Sequence, residues 1–286
     1  YGLGCNGTIY VLLERMTGKS APLIELIGEV LAERRCAAIG HRTDAQHAGE
    51  RLAIGASGCL SHNLNSSAAA VSLESEARAA LQQLSSRAVS LPNGAEFFVE
   101  VVMPAPHLLV FGAGDDAVPL TRIAKLLGWR VSVFDGRAHY ARRGKFPDAD
   151  CVCLRPAGES GMGPRIDPWT VAVLMSHSYA QDLANLRELA AYPVRYLGIL
   201  GPRKRTVQLL ADAGLNFGSL TPALHGPMGL DIGAEGAEQV ALAVAAEIQA
   251  ALNGREGGLL RDRSGAIHAR EEDPEACFSV QSITCA

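Results

Sequence analysis

The segment HLLVFGAGDDAVPLTRIAKLLGWRVSVFDGR, residues 107–137, restricts the fold of this chain more than any other stretch. It runs from an apolar strand through a Gly-x-Gly turn into an amphipathic helix, then a second strand and an acidic residue. Gly112 permits the tight turn, and Gly114 lets phosphate oxygens approach backbone N–H groups that no side chain shields. Ala117 takes the third position of G-x-G-x-x-G/A. Leu120, Ile123, Ala124 and Leu127 recur at helical spacing, Pro119 falls early enough to be tolerated, and Gly128 suits a left-handed terminator. The strand Arg130–Phe134 leads to Asp135, 23 residues after Gly112, where a carboxylate can accept bonds from ribose hydroxyls. This order predicts a Rossmann-type α/β domain with a nucleotide cradle over 112–135. A flavodoxin-like sheet that packs in the same way and binds nothing is the alternative.

Asp115 and Asp116 stand where a pyrophosphate normally rests, and two carboxylates there oppose another anion. They either cap the helix or mark a ligand other than ordinary NAD. Arg137, His139, Arg142, Arg143 and Lys145 crowd the following loop; Arg137, beside the carboxyl end of the sheet, is the candidate for phosphate recognition against a solvated basic surface. His177, in MSHSYAQD after an apolar run, is a candidate acid or base, with a hydrogen-bonded loop histidine as the other reading. GILGPRKR places Gly201 at a strand-to-helix turn and Arg203, Lys204 and Arg205 in the helix's first turn, where cations gain nothing from the dipole and an anionic ligand would explain them. The glycine-rich stretch 225–239 brings backbone close to a ligand or to a neighbouring element, with His225 and Asp231 as weaker site candidates.

The seven cysteines show no C-x-x-C pair, which suits a reducing cytosol and gives no zinc or iron–sulfur pattern. Cys5, between glycines in GLGCNG, reads either as a thiol able to ligate a soft metal or sulfur species or as a buried cysteine. Cys59 poses the same question, and Cys151 and Cys153 share one face of a strand and read as core. The net charge of −4 provides no field to draw nucleic acid or an anionic membrane. Apolar runs such as Val240–Ala246 fall far short of the ~20 residues that span a bilayer. Cytoplasm is therefore the expected compartment.

Residues 1–103 read as a smaller α+β domain. Expected there are a strand over Thr8–Glu14, a helix over Ala21–Arg35, a strand over Cys36–Gly40, a helix over Leu73–Ser85 and a strand over Ala95–Met103. Pro104-Ala105-Pro106 marks the junction. Over 104–253, apolar runs at 107–111, 130–134, 150–154, 170–175 and 195–200 alternate with helical or loop segments, the pattern of a parallel sheet covered on both faces. Ala237–Leu252 is the last clear helix, and 254–286 reads as a loosely ordered extension with a short strand at Ala266–Ala269. Without an initiator methionine or a signal-peptide pattern, the first domain is expected to be truncated at its start.

Five motifs in order, GLGCNGTIYVLLE (2–14), FGAGDDAVPLTRIAKLLGWRVSVFDGR (111–137), the MSH turn (175–177), YLGILGPRKR (196–205) and HGPMGLDIGAEGAEQVALAVAAEIQA (225–250), resemble the XdhC/CoxI family of xanthine dehydrogenase accessory proteins. The likeness runs from residue 1 to about 268. It implies a chaperone that binds molybdenum cofactor (molybdopterin), protects it during sulfuration, and delivers it to a molybdenum hydroxylase apoenzyme, with a cysteine desulfurase as a further partner. A homo-oligomer is expected. By position, Cys5 corresponds to the family's glycine-flanked cysteine, and Gly112, Gly114, Asp116, Asp135 and Arg137 to its Rossmann turn and ribose-side acid. His177, Gly201, Arg203 and the 226–233 loop match motifs around the same cleft. In place of the G-G-C-L-E segment that usually precedes GCNG, this chain has only GASGCL at 55–60, after it, and Ala237 stands where proline is usual. The contrasting expectation, from the glycine turn alone, is an NAD(P)-dependent oxidoreductase or a dinucleotide sensor, with His177 as the available acid or base.

Overall fold

The computed structural model describes residues 11–13, 21–47, 49–156, 159, 166–216 and 224–264. The chain divides into two units whose boundary falls between Pro104 and Ala105, within the proline pair. Cys5 and the strand expected at 266–269 lie outside the described residues. Of the strand expected over 8–14, only Val11, Leu12 and Leu13 are described; they are exposed and lie in no strand.

The first unit contains α1 (Ala21–Ala32), β1 (Ala37–Arg42), β2 (Arg51–Gly55), β3 (Gly58–His62), α2 (Ser67–Gln83), β4 (Arg87–Ser90) and β5 (Glu96–Val102). Its strands form an antiparallel sheet in the order β3-β2-β1-β5-β4. β5 alternates buried and exposed residues because only one face is covered. The cover is α2, whose Ala69, Leu73, Ala77 and Ala80 pack against Ala38, Leu52, Ile54, Phe97 and Val99. Ser66 caps α2 by accepting from the Ala69 N–H, so the helix begins six residues before the apolar spacing predicts.

The second unit follows with β6 (His107–Phe111), α3 (Ala117–Leu126), β7 (Arg130–Asp135), β8 (Cys151–Leu154), β9 (Thr170–Leu174), α4 (Tyr179–Leu189), β10 (Tyr196–Ile199), α5 (Arg203–Ala213), β11 (Leu224–His225) and α6 (Ala237–Leu252). All its strands are parallel, in the order β11-β10-β9-β6-β7-β8. Counted along this unit the order is 3-2-1-4-5-6, the doubly wound Rossmann arrangement with its switch point between β6 and β9. Alternate residues of each central strand feed opposite layers. Leu108, Val110, Val131, Val133 and Val173 meet α3 and α6. Leu109, Phe111, Phe134, Ala172 and Leu174 meet α4 and α5. Burial on both faces explains why these strands read as unbroken apolar runs. Beyond α6, Gly257 lies against the Leu230 side chain, where a Cβ would come within 2.8 Å.

Leu73 is fully buried at the centre of the α2 face, and its methyl groups fill the space beside Gly40. Leu73→Ala is expected to lower the unfolding free energy of the first unit by about 2–5 kcal/mol. Urea denaturation followed by far-UV circular dichroism measures it. A change below about 1 kcal/mol would mean that this face does not hold the unit together.

Candidate functional site at the carboxyl edge of the parallel sheet

At the switch point the turn after β6 presses on the chain leaving β9. Gly112 has φ +127°, and a Cβ there would lie 2.4 Å from the Met175 carbonyl oxygen, so both backbone conformation and space require glycine. The turn is fixed from below by Asp135, the last residue of β7, whose side chain has no exposed surface. Its Oδ2 accepts from the Ala113 N–H at 2.9 Å and from Arg137 Nη2 at 2.8 Å. Its Oδ1 accepts from the Arg137 backbone N–H at 2.9 Å and from Arg137 Nε at 2.8 Å. Arg137 Nη2 also donates to the Ser176 carbonyl at 3.0 Å, and the guanidinium lies 4.1 Å from the Tyr140 ring centroid. One carboxylate and one guanidinium thereby join the ends of β6, β7 and β9.

Burial pushes the Asp135 pKa up, but the hydrogen bonds from Arg137 and from the Ala113 and Arg137 backbones outweigh it and hold the carboxyl below its ordinary value. Sequence places Asp135 as a ribose acceptor; the structure gives both of its oxygens to the protein. A ribose hydroxyl would reach it only by displacing Arg137, and the same pairing engages the phosphate-recognition candidate.

The next residues form a second layer. Asp116 makes no capping bond to α3; its Oδ2 lies 2.7 Å from His177 Nε2. Its Oδ1 occupies the hollow above Gly114, 2.4 Å from where a Cβ would stand. The phosphate seat of the turn is thus filled by a carboxylate. His177 holds φ +57°, a left-handed conformation costly for a side chain of this size, which presents its ring at the site with 62% of the side chain exposed. Asp115 extends into solvent and is met by Lys145 at 2.7 Å, which lowers its pKa, while Lys145 also donates to the Ala113 carbonyl at 2.8 Å.

On the β10 side, Gly201 turns the chain at φ +113° against the Arg205 side chain. Arg205, rather than the exposed Arg203, points inward: its Nη2 donates to Asp182 Oδ2 at 2.8 Å, and the Ser176 hydroxyl donates to Asp182 Oδ1 at 2.6 Å. Sequence spacing cannot distinguish the three adjacent cations; only the turn of α5 that faces Asp182 of α4 does. The 225–233 loop approaches α5 and α6. Gly226 lies against Thr206, Gly229 against Ala243 and Val244, and Glu247 of α6 accepts from the Gly229 N–H, from Tyr196 and lies 3.1 Å from His225 Nδ1. Asp231 is exposed. Cys151 and Cys153, expected in the core, are half-buried on the edge strand β8, and Cys59 is exposed on β3.

Among the described residues, four pairs therefore line this edge: Arg137 with Asp135, Lys145 with Asp115, Arg205 with Asp182, and His177 with Asp116. Carboxylates outnumber permanent cations, so the arrangement has no surplus positive charge for a pyrophosphate. Beside it opens a groove of about 540 Å³ lined by Asp115, Val118, Pro119, Arg122, Ile123 and Glu238, a volume suited to a small molecule.

The sequence model described as the XdhC Rossmann domain matches residues 108–248, nearly the whole of this parallel unit. A protein of Bacillus subtilis (strain 168), named as a probable subunit of xanthine dehydrogenase, is 30% identical over 254 residues, spanning 86% of this chain and 70% of that protein. The chain belongs to the XdhC family. A further relative, the Escherichia coli (strain K12) protein YqeB, is 29% identical over 168 residues, 57% of this chain and 30% of its own length. Among solved structures, a crystal structure described as that of a xanthine dehydrogenase from Bacillus halodurans has a TM-score of 0.66 at 23% identity, over 84% of this chain and 66% of that one. That likeness is one of fold. The chain thus spans about two thirds of that Bacillus halodurans chain and under a third of YqeB. Within the parallel unit, the edge described above brings together four charged pairs around a glycine turn.

Asp135 also sets a pH dependence. With its pKa lower folded than unfolded, it contributes stability that is complete above the unfolded value of about 3.9 and is lost as pH falls through the folded value. Arg137→Met removes the guanidinium bonds and leaves the two backbone ones, so the folded pKa should rise toward the unfolded one. The Asp135 share of the acid loss of stability should then shrink, with a cost of about 1–3 kcal/mol near neutrality. Urea midpoints between about pH 3 and pH 7 test this. Superimposable acid limbs for the two proteins would show that the pair does not hold the turn.

Proposed function

We propose that this chain is an accessory protein of a xanthine dehydrogenase-type molybdenum hydroxylase, which holds molybdopterin at the carboxyl edge of its parallel sheet, protects it, and hands it to the apoenzyme. Family membership and the name of the Bacillus subtilis relative support the accessory role. The observation that carries the choice of ligand is the carboxylate of Asp116 in the hollow over Gly114, with Asp115 beside it. A dinucleotide pyrophosphate would have to lie against both. A pterin has a ring edge of N–H donors for which carboxylates are acceptors, and its single phosphate group can be met by Lys145 or Arg137 at the rim. The ring system would lie against the Asp116 carboxylate over Gly114, and His177 stands exposed at the mouth. Bound molybdopterin supplies the metal's chemistry to the recipient enzyme; this chain's residues bind, orient and shield. Cys5, a cysteine desulfurase partner, self-assembly and a cytoplasmic location belong to the same reading. In keeping with it, no helix among the described residues is long and apolar enough to cross a membrane.

The second reading, an NAD(P) enzyme or sensor, is favoured by the 3-2-1-4-5-6 strand order and the glycine turn, with His177 paired to Asp116 as its acid or base. Purified chain should bind molybdopterin in near-stoichiometric amount and raise the activity of an apo molybdenum hydroxylase. Gly114→Leu, which drives a side chain into the Asp116 carboxylate, should weaken that binding by about tenfold or more while the first unit melts unchanged. Failure to bind molybdopterin, together with quenching of NADH fluorescence at micromolar concentrations, would establish the second reading instead.

A further inference from the structure

β8 ends the parallel sheet and carries two thiols on one face. Cys151 and Cys153 are two residues apart, so the pleat directs both side chains the same way, and their sulfurs lie 2.8 Å apart. Both are free and half-buried, and among the described residues β8 has a neighbouring strand on one side only. Val152 packs into the α3–α6 layer, while Cys153 borders the α4–α5 layer.

The separation discriminates between the uses of a dithiol. Two thiolates on a tetrahedral metal at a bond length of about 2.3 Å would stand about 3.8 Å apart. Among the described residues, no group of three or more His, Cys, Asp or Glu is placed to hold a metal. A disulfide, at about 2.05 Å, needs the sulfurs to approach by less than about 1 Å. Alternate Cα atoms of a strand lie about 6.6 Å apart, near the upper end of the range of about 4.4–6.8 Å that disulfides span. Alternate Cβ atoms of a strand stand about as far apart as the Cα atoms, beyond the range of about 3.5–4.5 Å in a disulfide, so closure bends the edge strand, and strained bridges are the readily reduced ones.

We propose that Cys151 and Cys153 form a reactive dithiol site that takes low-molecular-weight disulfides, of which oxidised glutathione is the probe, and is converted reversibly to an intrachain disulfide. The Cys151 thiolate attacks one sulfur of oxidised glutathione; the S–S bond breaks, a mixed disulfide forms, and a glutathione thiolate leaves and takes a proton from water. Cys153 gives up its proton and attacks the Cys151 sulfur, expelling the second glutathione. The chain's two thiols are oxidised and the small disulfide is reduced to two thiols. Burial first, then the hydrogen bond with Cys151, pushes the Cys153 thiol up to about 11. Cys153, which borders the α4–α5 layer, is the more shielded thiol and keeps its proton, so Cys151 attacks and Cys153 resolves. The site adjoins the glycine turn's support: Cys153 pairs with Phe134 and Leu154 with Asp135, and the Arg155 N–H donates to the Asp135 carbonyl at 2.8 Å.

The whole chain should be equilibrated in glutathione buffers of graded oxidation, trapped by alkylation and mapped by peptide mass. A disulfide within the 151–153 peptide, reversed by dithiothreitol, is the expected result. Cys153→Ser should stop at a glutathione adduct on Cys151. Cys151→Ser should acquire an adduct on Cys153 about tenfold more slowly or less, because the thiolate fraction limits attack. Mapping of the unsubstituted chain decides the matter without either variant. No 151–153 bridge in fully oxidised glutathione, or pairing of Cys151 with another cysteine, would overturn the proposal. Equal adduct rates in the two variants would overturn the assignment of roles.

Discussion

The Asp135–Arg137 pair is the contact on which the carboxyl edge of the second unit's sheet depends. A carboxylate with no exposed surface is stable only if its lone pairs are filled; here one bond comes from the glycine turn and three from Arg137, whose guanidinium also reaches the chain leaving β9. Burial opposes the charge and the bonds favour it. Because the bonds prevail, the Ala113 N–H, beyond the last ladder bond of the strand, is held by a charged carboxylate.

This arrangement shows why the site and the fold differ in how well they can be read from residues. The strand, turn, helix and strand over 107–135 were legible because each has its own local signal: an unbroken apolar run, glycines, helical spacing, a terminator. The XdhC membership followed from motifs of the same local kind. The hairpin of β2 and β3 had none, since GCLSH is short, largely exposed and without alternation. β4, a half-buried strand of four residues, was equally silent.

Pairing was the part hidden from sequence. Asp135 and Arg137 both stood out as candidates, yet that each satisfies the other depends on the direction of two side chains two residues apart. Asp116 looked like a helix cap and proves to partner a histidine 61 residues away. Arg203, Lys204 and Arg205 are interchangeable by composition, and α5 selects one of them for Asp182. Charge at this edge therefore describes a balanced network, in which any ligand exchanges one partner for another.

β6 lies at the centre of the sheet and gives Leu108 and Val110 to one layer and Leu109 and Phe111 to the other, with Gly112 following against Met175. Its length is consequently as constrained as its composition. Insertion of one residue would exchange the two apolar sets between layers and carry the glycine away from the backbone position that demands it. A substitution that keeps an apolar side chain can therefore be absorbed along this strand where a change in length cannot.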